Sequence, residues 1–480
     1  MIDFSDIKKT AKELLEFAEK KEGVKEVEAY VSCNSLNVYR IVYHSGIPSN
    51  GLEEPKSEEN FGLSLRILFN DGKFGFGSSD SDLSRKGFDE AFGKAVESKV
   101  NDTDFHSLPE QMGKAELQNY HDKNIINLDE EKAISKAYEL LDGAFDALNK
   151  KSFKQDTNIT GEMDLMSSRM CVTSSKGIFG SDEHTTAIGT LTSNLEEEDI
   201  SSGASYSSST HLANLDCFKV GSDSVEKALN MRNPKGIESG EYKVVLSRQA
   251  IAELFYSRFD LAISSVDFHA SPFSGNTGEK VGTELFSVAE DPHLENFTGS
   301  RAITDEGIPT QKNELVTNGI LNTYQSNDYY NKKKEKWKKL LPINGFRSSS
   351  DRSYYSDVGI GSTNLVLGKG DYSEQELIEE VKDGIYVGRL WYTYPVNGYS
   401  NFDFTSTIRG DSYIIKNGKI ESALTPNTVR VLDSFESFMN GIIALGKESK
   451  PSQIWGQGAL LVTPELILEK LKLKKISKGL

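Results

Sequence analysis

Three short segments force this chain to double back: Asn70-Asp71-Gly72, Asn318-Gly319 and Asn417-Gly418, each set between runs that read as strands. Asn and Gly tolerate the positive φ that both central positions of a type I′ turn require, and that turn suits a right-twisted hairpin. The sequence therefore predicts antiparallel pairs: Phe61 to Leu68 with Lys73 to Gly77, Asn313 to Thr317 with Ile320 to Tyr324, and Phe402 to Ile415 with Lys419 to Leu424. Period-two patterning adds Val27 to Val31, Ser35 to Tyr43, Ile159 to Met166, Arg169 to Ser174, Ile178 to Gly180 and Thr185 to Ser193. Further strands are expected at Leu285 to Ala289, Thr363 to Leu367 and Gly384 to Tyr394, with Gly458 to Val462 closing the series.

Helical spacing marks Asp3 to Lys20, with Ser5 as its cap, then Leu83 to Ser98, Asp129 to Asn149, Asp223 to Asn230, Ser373 to Lys382 and Ser434 to Leu445. Gly87 and Gly93 weaken the second of these. Near the middle, the short strand Tyr242 to Leu246 turns straight into a helix that Ser247 can cap, with Ile251, Leu254, Phe255 and Phe259 on its apolar face. At about 150 residues per domain, 480 residues suggest two or three units. The expected fold class is α+β. Residues 1–150 form an N-terminal unit of antiparallel hairpins with flanking helices, 151–235 a connecting antiparallel β region, and 236–480 a β-rich, mostly antiparallel C-terminal unit.

Charge narrows the partners. Lys and Arg number 55 against 72 Asp and Glu, and 55 − 72 = −17 disfavours non-specific attraction to nucleic acid or anionic membranes. The one strongly basic run, Asn331 to Leu340 with Trp337 inside it, reads either as lysines for phosphates with a stacking ring or as a solvated loop, and the loop is preferred. Cys33, Cys171 and Cys217 are odd in number, far apart and without CxxC spacing, so neither a disulfide framework nor a thiolate metal site is indicated, and a reducing cytoplasm fits best. No targeting signal is read at the start, and no apolar run approaches the roughly 20 residues that span a bilayer.

Chemistry-bearing patterns are sparse. The seven histidines form no HxxxH, HxxxxH or HxH pair. The best metal constellation is Asp267 and His269 with His293, set against the plainer reading of loop and surface histidines. Asp305-Glu306, followed by Gly307 and Thr310, reads either as a turn or as paired carboxylates at the mouth of the C-terminal unit, contacting peptide or serving as acid and base. The turn is preferred. No GxSxG elbow supports a serine nucleophile.

Taken in order, VEAYVS (27–32), GLSLRIL with DGKFGFGSSDSDLS (62–84), GEYKVVLS (240–247), DEGIPTQ with VTNGILNTY (305–324) and GDSYIIKNGKI (410–420) resemble the TldD/PmbA family, also called the modulator of DNA gyrase family. The resemblance covers nearly the whole chain and implies a cytoplasmic peptidase component. In that family, TldD-like subunits hold zinc through an HExxxH helix and a downstream Cys, whereas PmbA-like subunits, also called TldE, lack the site and pair with the first kind. The family's His, Glu and second His fall here at Tyr256, Ser257 and Leu261, its Cys position falls near Gly446 to Ser452, and no Cys follows Cys217. The resemblance thus implies no metal or other cofactor in this chain, with zinc carried by a TldD-like partner. It also implies a peptide substrate, to which the family's loop at Asn397 to Phe404, with Asn397 and Phe402, and the segment with Asp305, Glu306 and Thr310 would contribute. Two other readings stay open: a stand-alone homodimeric binding or assembly protein, and a peptidase with an unrecognised site.

Overall fold

The computed structural model describes residues 2–48, 51–114, 117, 119–333, 340–348, 352–453 and 460–476. Helix α1 (Phe4–Glu19) is capped by Asp3, whose carboxylate accepts both the amide and the hydroxyl of Ser5, the expected cap. A carboxylate here also complements the positive end of the helix. There follow β1 (Val24–His44), β2 (Lys56–Phe69), β3 (Phe74–Asp80), α2 (Arg85–Glu97), α3 (Lys123–Ile126), α4 (Glu130–Lys150), β4 (Thr157–Ser174), β5 (Phe179–Glu196), β6 (Ile200–Ser209) and α5 (Cys217–Asn230).

These six strands make one antiparallel sheet in the order β3-β2-β1-β4-β5-β6. The sheet crosses the boundary expected at residue 150: β4 pairs with β1 from Glu28 opposite Ser174 to His44 opposite Asn158, so 151–235 extends the first unit instead of linking two. The paired short strands expected at 27–43 and at 159–174 are each continuous, because Ser32-Cys33-Asn34 and Ser167-Ser168 keep the alternation going with small and polar side chains. Val27, Ala29, Val31 and Cys33 pack under α1 and α2, whereas Tyr39 and Ile41 belong to the cluster under α4 and α5. The serine-rich β6 has no counterpart in the predicted strands. It lies at the sheet's edge beneath α5, and Gly203 admits the helix backbone there, since a Cβ would fall on the Ser224 carbonyl.

In the second unit β7 (Gly240–Leu246) leads into α6 (Arg248–Arg258), followed by α7 (Ile263–Asp267), β8 (Val288–Glu290), β9 (Asn313–Thr317), β10 (Ile320–Leu321), α8 (Asp328–Lys332), β11 (Gly345–Arg347), β12 (Val358–Ile360), β13 (Leu365–Leu367) and α9 (Glu374–Val381). Then come β14 (Gly384–Val387), β15 (Leu390–Pro395), β16 (Asp403–Ile408), β17 (Tyr413–Lys416), β18 (Lys419–Ala423), β19 (Val429–Ser434), α10 (Phe435–Gly441), β20 (Ile442–Leu445), β21 (Lys450–Gln453), β22 (Leu460–Thr463) and β23 (Leu466–Lys475). The main sheet runs β15-β16-β19-β23-β7-β14-β17-β18, with β20 also on β23, and a second sheet runs β10-β9-β8-β13-β22-β21. β7 is central, antiparallel to β23 and parallel to β14.

The runs expected as single strands at 384–394 and 402–415 each divide, because β14 and β17 pair on one side of β7 while β15 and β16 pair at the opposite edge of the sheet. The helix expected over 434–445 stops at Gly441, and its last residues become β20 against β23, a strand beyond the expected closing one. Among the described residues no helix is long and apolar enough to cross a membrane.

Candidate functional site at the strand-to-helix turn

Ser247 caps α6 as its sequence predicts: its Oγ accepts the Ala250 amide at 3.2 Å and donates to the Gly388 carbonyl at 2.6 Å. Beyond the cap, the helix is buried almost all round, since it packs between edge strand β15 and strands β21 and β22 of the second sheet. Ile251, Leu254 and Phe255 join Phe286, Phe435 and Phe438 in the main core. The helix ends at Arg258, so the three positions singled out by sequence do not face a common point. Tyr256 is exposed, Ser257 is half-buried, and Leu261 lies past the helix, wholly inside the core, its carbonyl accepting the Gln325 amide at 2.9 Å. Phenol, hydroxyl and hydrocarbon do not fit zinc, which takes imidazole, thiolate or carboxylate donors. The three cysteines are buried in the N-terminal unit, and among the described residues no group of three His, Cys, Asp or Glu could hold a metal ion.

Two charged residues of α6 were not foreseen. Glu253 is buried, its carboxyl raised by burial against the opposing pull of Arg389 and a hydrogen bond from Gln249. Gln249 and Glu253 stand one helical turn apart in the sequence, the spacing at which two polar side chains meet on one helix face. Arg258 is 1% exposed and donates to the carbonyls of Ser257, Tyr399 and Asn401. It ties the loop 397–402 to the end of α6. In that loop Asn397 takes a φ of 63° and donates to Asp403 at 3.2 Å, and the Phe402 ring meets Phe273 at 5.0 Å. Asn397 and Phe402 thus stand beside α6.

Asp305 and Glu306 do not. They form a turn, closed by Gly307 amide to Thr304 carbonyl at 3.0 Å, but that turn is at no mouth: both side chains are fully buried where the two units meet. Glu306 meets Arg66 at 3.2 Å and accepts the Asp328 amide at 3.1 Å. Asp305 accepts the Arg347 amide at 2.8 Å and faces Arg352 at 3.3 Å. Arg352 also pairs with Asp182 at 2.5 Å, and Glu28 bridges Arg347 at 2.9 Å and Arg66 at 3.3 Å. The expected peptide contacts are replaced by a lattice of charges that joins β1, β2 and β5 to the C-terminal unit. Thr310 is buried as well, donating to the carbonyls of Arg301 and Ala302 and meeting His293 Nε2 at 3.1 Å.

Burial pushes the Glu306 carboxyl up to about 7, helped by the charges of Asp328 and Glu28 and opposed by Arg66. Its folded pKa therefore lies above its unfolded one, so its contribution to stability is complete below the ordinary glutamate pKa and is lost as pH rises through about 7. Glu306→Gln, neutral throughout, is expected to flatten that fall. The check is the urea midpoint measured from about pH 5 to about pH 8; parallel wild-type and variant curves would contradict it.

At the other end of α6, a cleft of about 1150 Å³ separates β6 from the C-terminal unit. Ser205 to Ser208, Arg248, Gln249, Lys450 and Glu465 are among its walls. Among the described residues β6 is laddered to β5 and β21 to β22, and the two approach each other across the opening, where the Tyr206 hydroxyl donates to the Pro451 carbonyl at 3.4 Å. Of the basic run, Lys334 to Lys339 with Trp337 lie outside the described residues. Lys332 is bound to Asp328 at 2.6 Å and Lys333 to Asp104 at 2.8 Å, which neutralises them.

Sequence comparison matches residues 239–475 to the family described as PmbA/TldA metallopeptidase C-terminal domain and residues 49–99 to PmbA/TldA metallopeptidase domain 1. A metalloprotease of Methanocaldococcus jannaschii is 27% identical over 201 residues, 41% of this chain and 42% of that protein. This chain spans less than half the length of that relative and of the similar ones from Archaeoglobus fulgidus and Buchnera aphidicola. The structure of TldE from Thermococcus kodakarensis superposes with a TM-score of 0.82 at 19% identity, covering 97% of this chain and all of that one. A Thermotoga maritima structure described as a modulator of a DNA gyrase gives 0.80 at 20% identity, covering 97% and 99%. At these identities the two structures speak for the fold.

Proposed function

Since the chain belongs to the PmbA/TldD metallopeptidase family, we propose that it is a PmbA-like subunit that carries no zinc itself, pairs with a TldD-like zinc-bearing chain in the cytoplasm, and helps hold small or unfolded peptides for hydrolysis. The observation that carries this is the state of α6. The strand, cap and packed helix are present, and Tyr256, Ser257 and the core residue Leu261 stand where the family resemblance would place the ligands. A partner would supply the Lewis acid, which polarises the peptide carbonyl and activates water. This chain would supply wall and grip: the strand edges of β6 and β21 that border the cleft offer backbone groups to an extended peptide regardless of side chains.

The test is to express the chain alone and together with a TldD-like subunit. The pair is expected to hydrolyse peptides and lose that activity to a chelator, while the isolated chain does neither and contains no zinc by elemental analysis. Chelator-sensitive hydrolysis by the isolated chain would refute the proposal. Recovery of the chain only as its own dimer would favour a stand-alone assembly role.

A further inference from the structure

Strands β15, β16, β19 and β23 of the main sheet carry a row of cations without salt-bridge partners. Their registers align Trp391 with Thr407, Thr407 with Arg430, and Arg430 with Lys474. Residues directly opposite each other share a face of a sheet, as do residues two apart on one strand. Arg389 and Arg409, two positions from Trp391 and Thr407, extend the same face: the Arg409 amide donates to the Arg389 carbonyl at 3.0 Å, and both guanidinium groups lie against the Trp391 ring, at 5.9 and 5.3 Å. The other face of these strands, with Leu390, Ile408, Val431 and Leu473, belongs to the main core.

Neighbouring lysines show the contrast. On β23, Lys470 pairs with Glu241 at 3.4 Å and Lys475 with Glu238 at 2.6 Å, whereas Arg389, Arg409, Arg430 and Lys474 take part in no salt bridge among the described residues. The Arg430 Nε is enclosed and has no hydrogen-bond partner there. Of the carboxylates whose charge acts on Arg389, Glu253 is held by Gln249 and Asp411 is paired with Lys227 at 3.0 Å. Like charges set directly opposite each other, as Arg430 and Lys474 are, destabilise a sheet. The rim of this face is aromatic: a bulge between Trp391 and Tyr394 puts Tyr392 at a φ of 53° and stacks its ring on Tyr394 at 5.5 Å, both rings half exposed. Arginine beside tyrosine is the pairing that dominates binding energy at protein interfaces.

We propose that this face, with Arg389, Arg409, Arg430 and Lys474, docks an acidic, extended segment of a partner protein. Three strand spacings separate β15 from β23, about 14 Å, the length of about four extended residues. Carboxylates on alternate residues of such a segment meet the row, and the guanidinium forks can hold them bidentately. Nucleic acid fits less well. The Trp391 ring is already occupied by two arginines and the Tyr392 and Tyr394 rings by each other, so the platforms that would stack on bases are in use. A net charge of −17 also repels a polyphosphate. The inference stands independently of the peptidase reading.

Fluorescence anisotropy with the full chain compares three dye-labelled probes: an alternating Glu-Ser octapeptide, its Lys-Ser counterpart, and an oligothymidylate of the same length. The acidic peptide is expected to bind, more weakly as salt is raised, and the basic one not to bind. Arg409→Gln is expected to weaken the acidic peptide about tenfold, the scale of one charge-assisted contact. Lys474→Gln, at an exposed side chain whose exchange leaves the fold intact, is expected to weaken it about threefold, and Lys470→Gln, outside the row, to leave it unchanged. Failure of the acidic peptide to outbind the basic one, or an affinity unchanged in both Arg409→Gln and Lys474→Gln, would overturn the docking face. Tighter binding of the oligothymidylate than of the acidic peptide would reassign the face to nucleic acid and overturn the inference.

Discussion

Arg347→Met is expected to lower the stability of the folded chain by about 3–5 kcal/mol, seen as a large fall in the urea midpoint. Arg347 has no exposed surface. It bridges Glu28, donates to Ser64 and to the Ser356 carbonyl at 2.7 Å, and lies over the Tyr30 ring at 4.3 Å. Removing it strands Glu28, itself fully enclosed, with Arg66 as its remaining cation at 3.3 Å. Most of the cost is that orphaned carboxylate, not the lost attraction, because two charges taken out of water barely recover their hydration even when paired. The double variant Glu28→Gln with Arg347→Met should therefore recover part of the loss, and the double-mutant cycle measures how much. Since the lattice lies between the two units, the single variant is also expected to split one unfolding transition into two. A fall of less than about 1 kcal/mol would mean that the junction is hydrated and its ion pairs are of the weak surface kind.

Gly221→Val should be nearly as damaging, by about 3 kcal/mol, the upper end of the cost of overpacking a filled site. Helices α4 and α5 approach through glycines: a Cβ on Gly221 would fall on the Leu140 carbonyl, and one on Gly143 on the Phe218 carbonyl. These are backbone atoms of rigid helices and cannot swing aside as a side chain would, so the helices must part and take Leu140, Ala144 and Val220 out of contact. Gly93→Ala on α2 is the control. Nothing lies within 4 Å of its would-be Cβ, and the exchange should stabilise the chain by about 0.5–1 kcal/mol through helix propensity alone. Thermal and urea unfolding of both variants reads the contrast; similar effects for the two would show that the α4–α5 contact is slack.

The pair Gly87 and Gly93 shows where sequence is silent. Both look like helix weakeners, yet a Cβ at Gly87 would strike the Asp82 carbonyl while Gly93 faces open space. Features set within a few residues were legible. Asn318 and Gly319 take φ of 50° and 78°, Asn417 and Gly418 50° and 71°, and the Ser247 cap forms as expected. Features set by distant partners were not. The turn at Asp305-Glu306 could be read from Gly307, but its burial depends on Arg66, 240 residues earlier than Glu306, and on Arg352. β6 carries no strand signature in its sequence, because serine and glycine give no apolar alternation, and what makes it a strand is pairing with β5 beneath α5. At the candidate site the identities of Tyr256, Ser257 and Leu261, which are not zinc donors, could be read directly from the sequence. That Leu261 lies beyond the helix could not, because the helix end is fixed by packing around Phe259.

The position of β23 sets an order of events during synthesis. Residues 466–475 pair with β7, β19 and β20 at the heart of the main sheet, so residues 240–246, made more than two hundred positions earlier, wait for their antiparallel neighbour until nearly the whole described chain has been made. The N-terminal sheet has all six strands by residue 209 and can assemble as the ribosome proceeds, while the C-terminal unit is left with an open seam beside β7. Completion of the main sheet is thus gated by residues 466–475, and a nascent chain halted before residue 466 would leave the backbone edge of residues 240–246 without its antiparallel partner, a template for wrong pairing that the finished sheet closes.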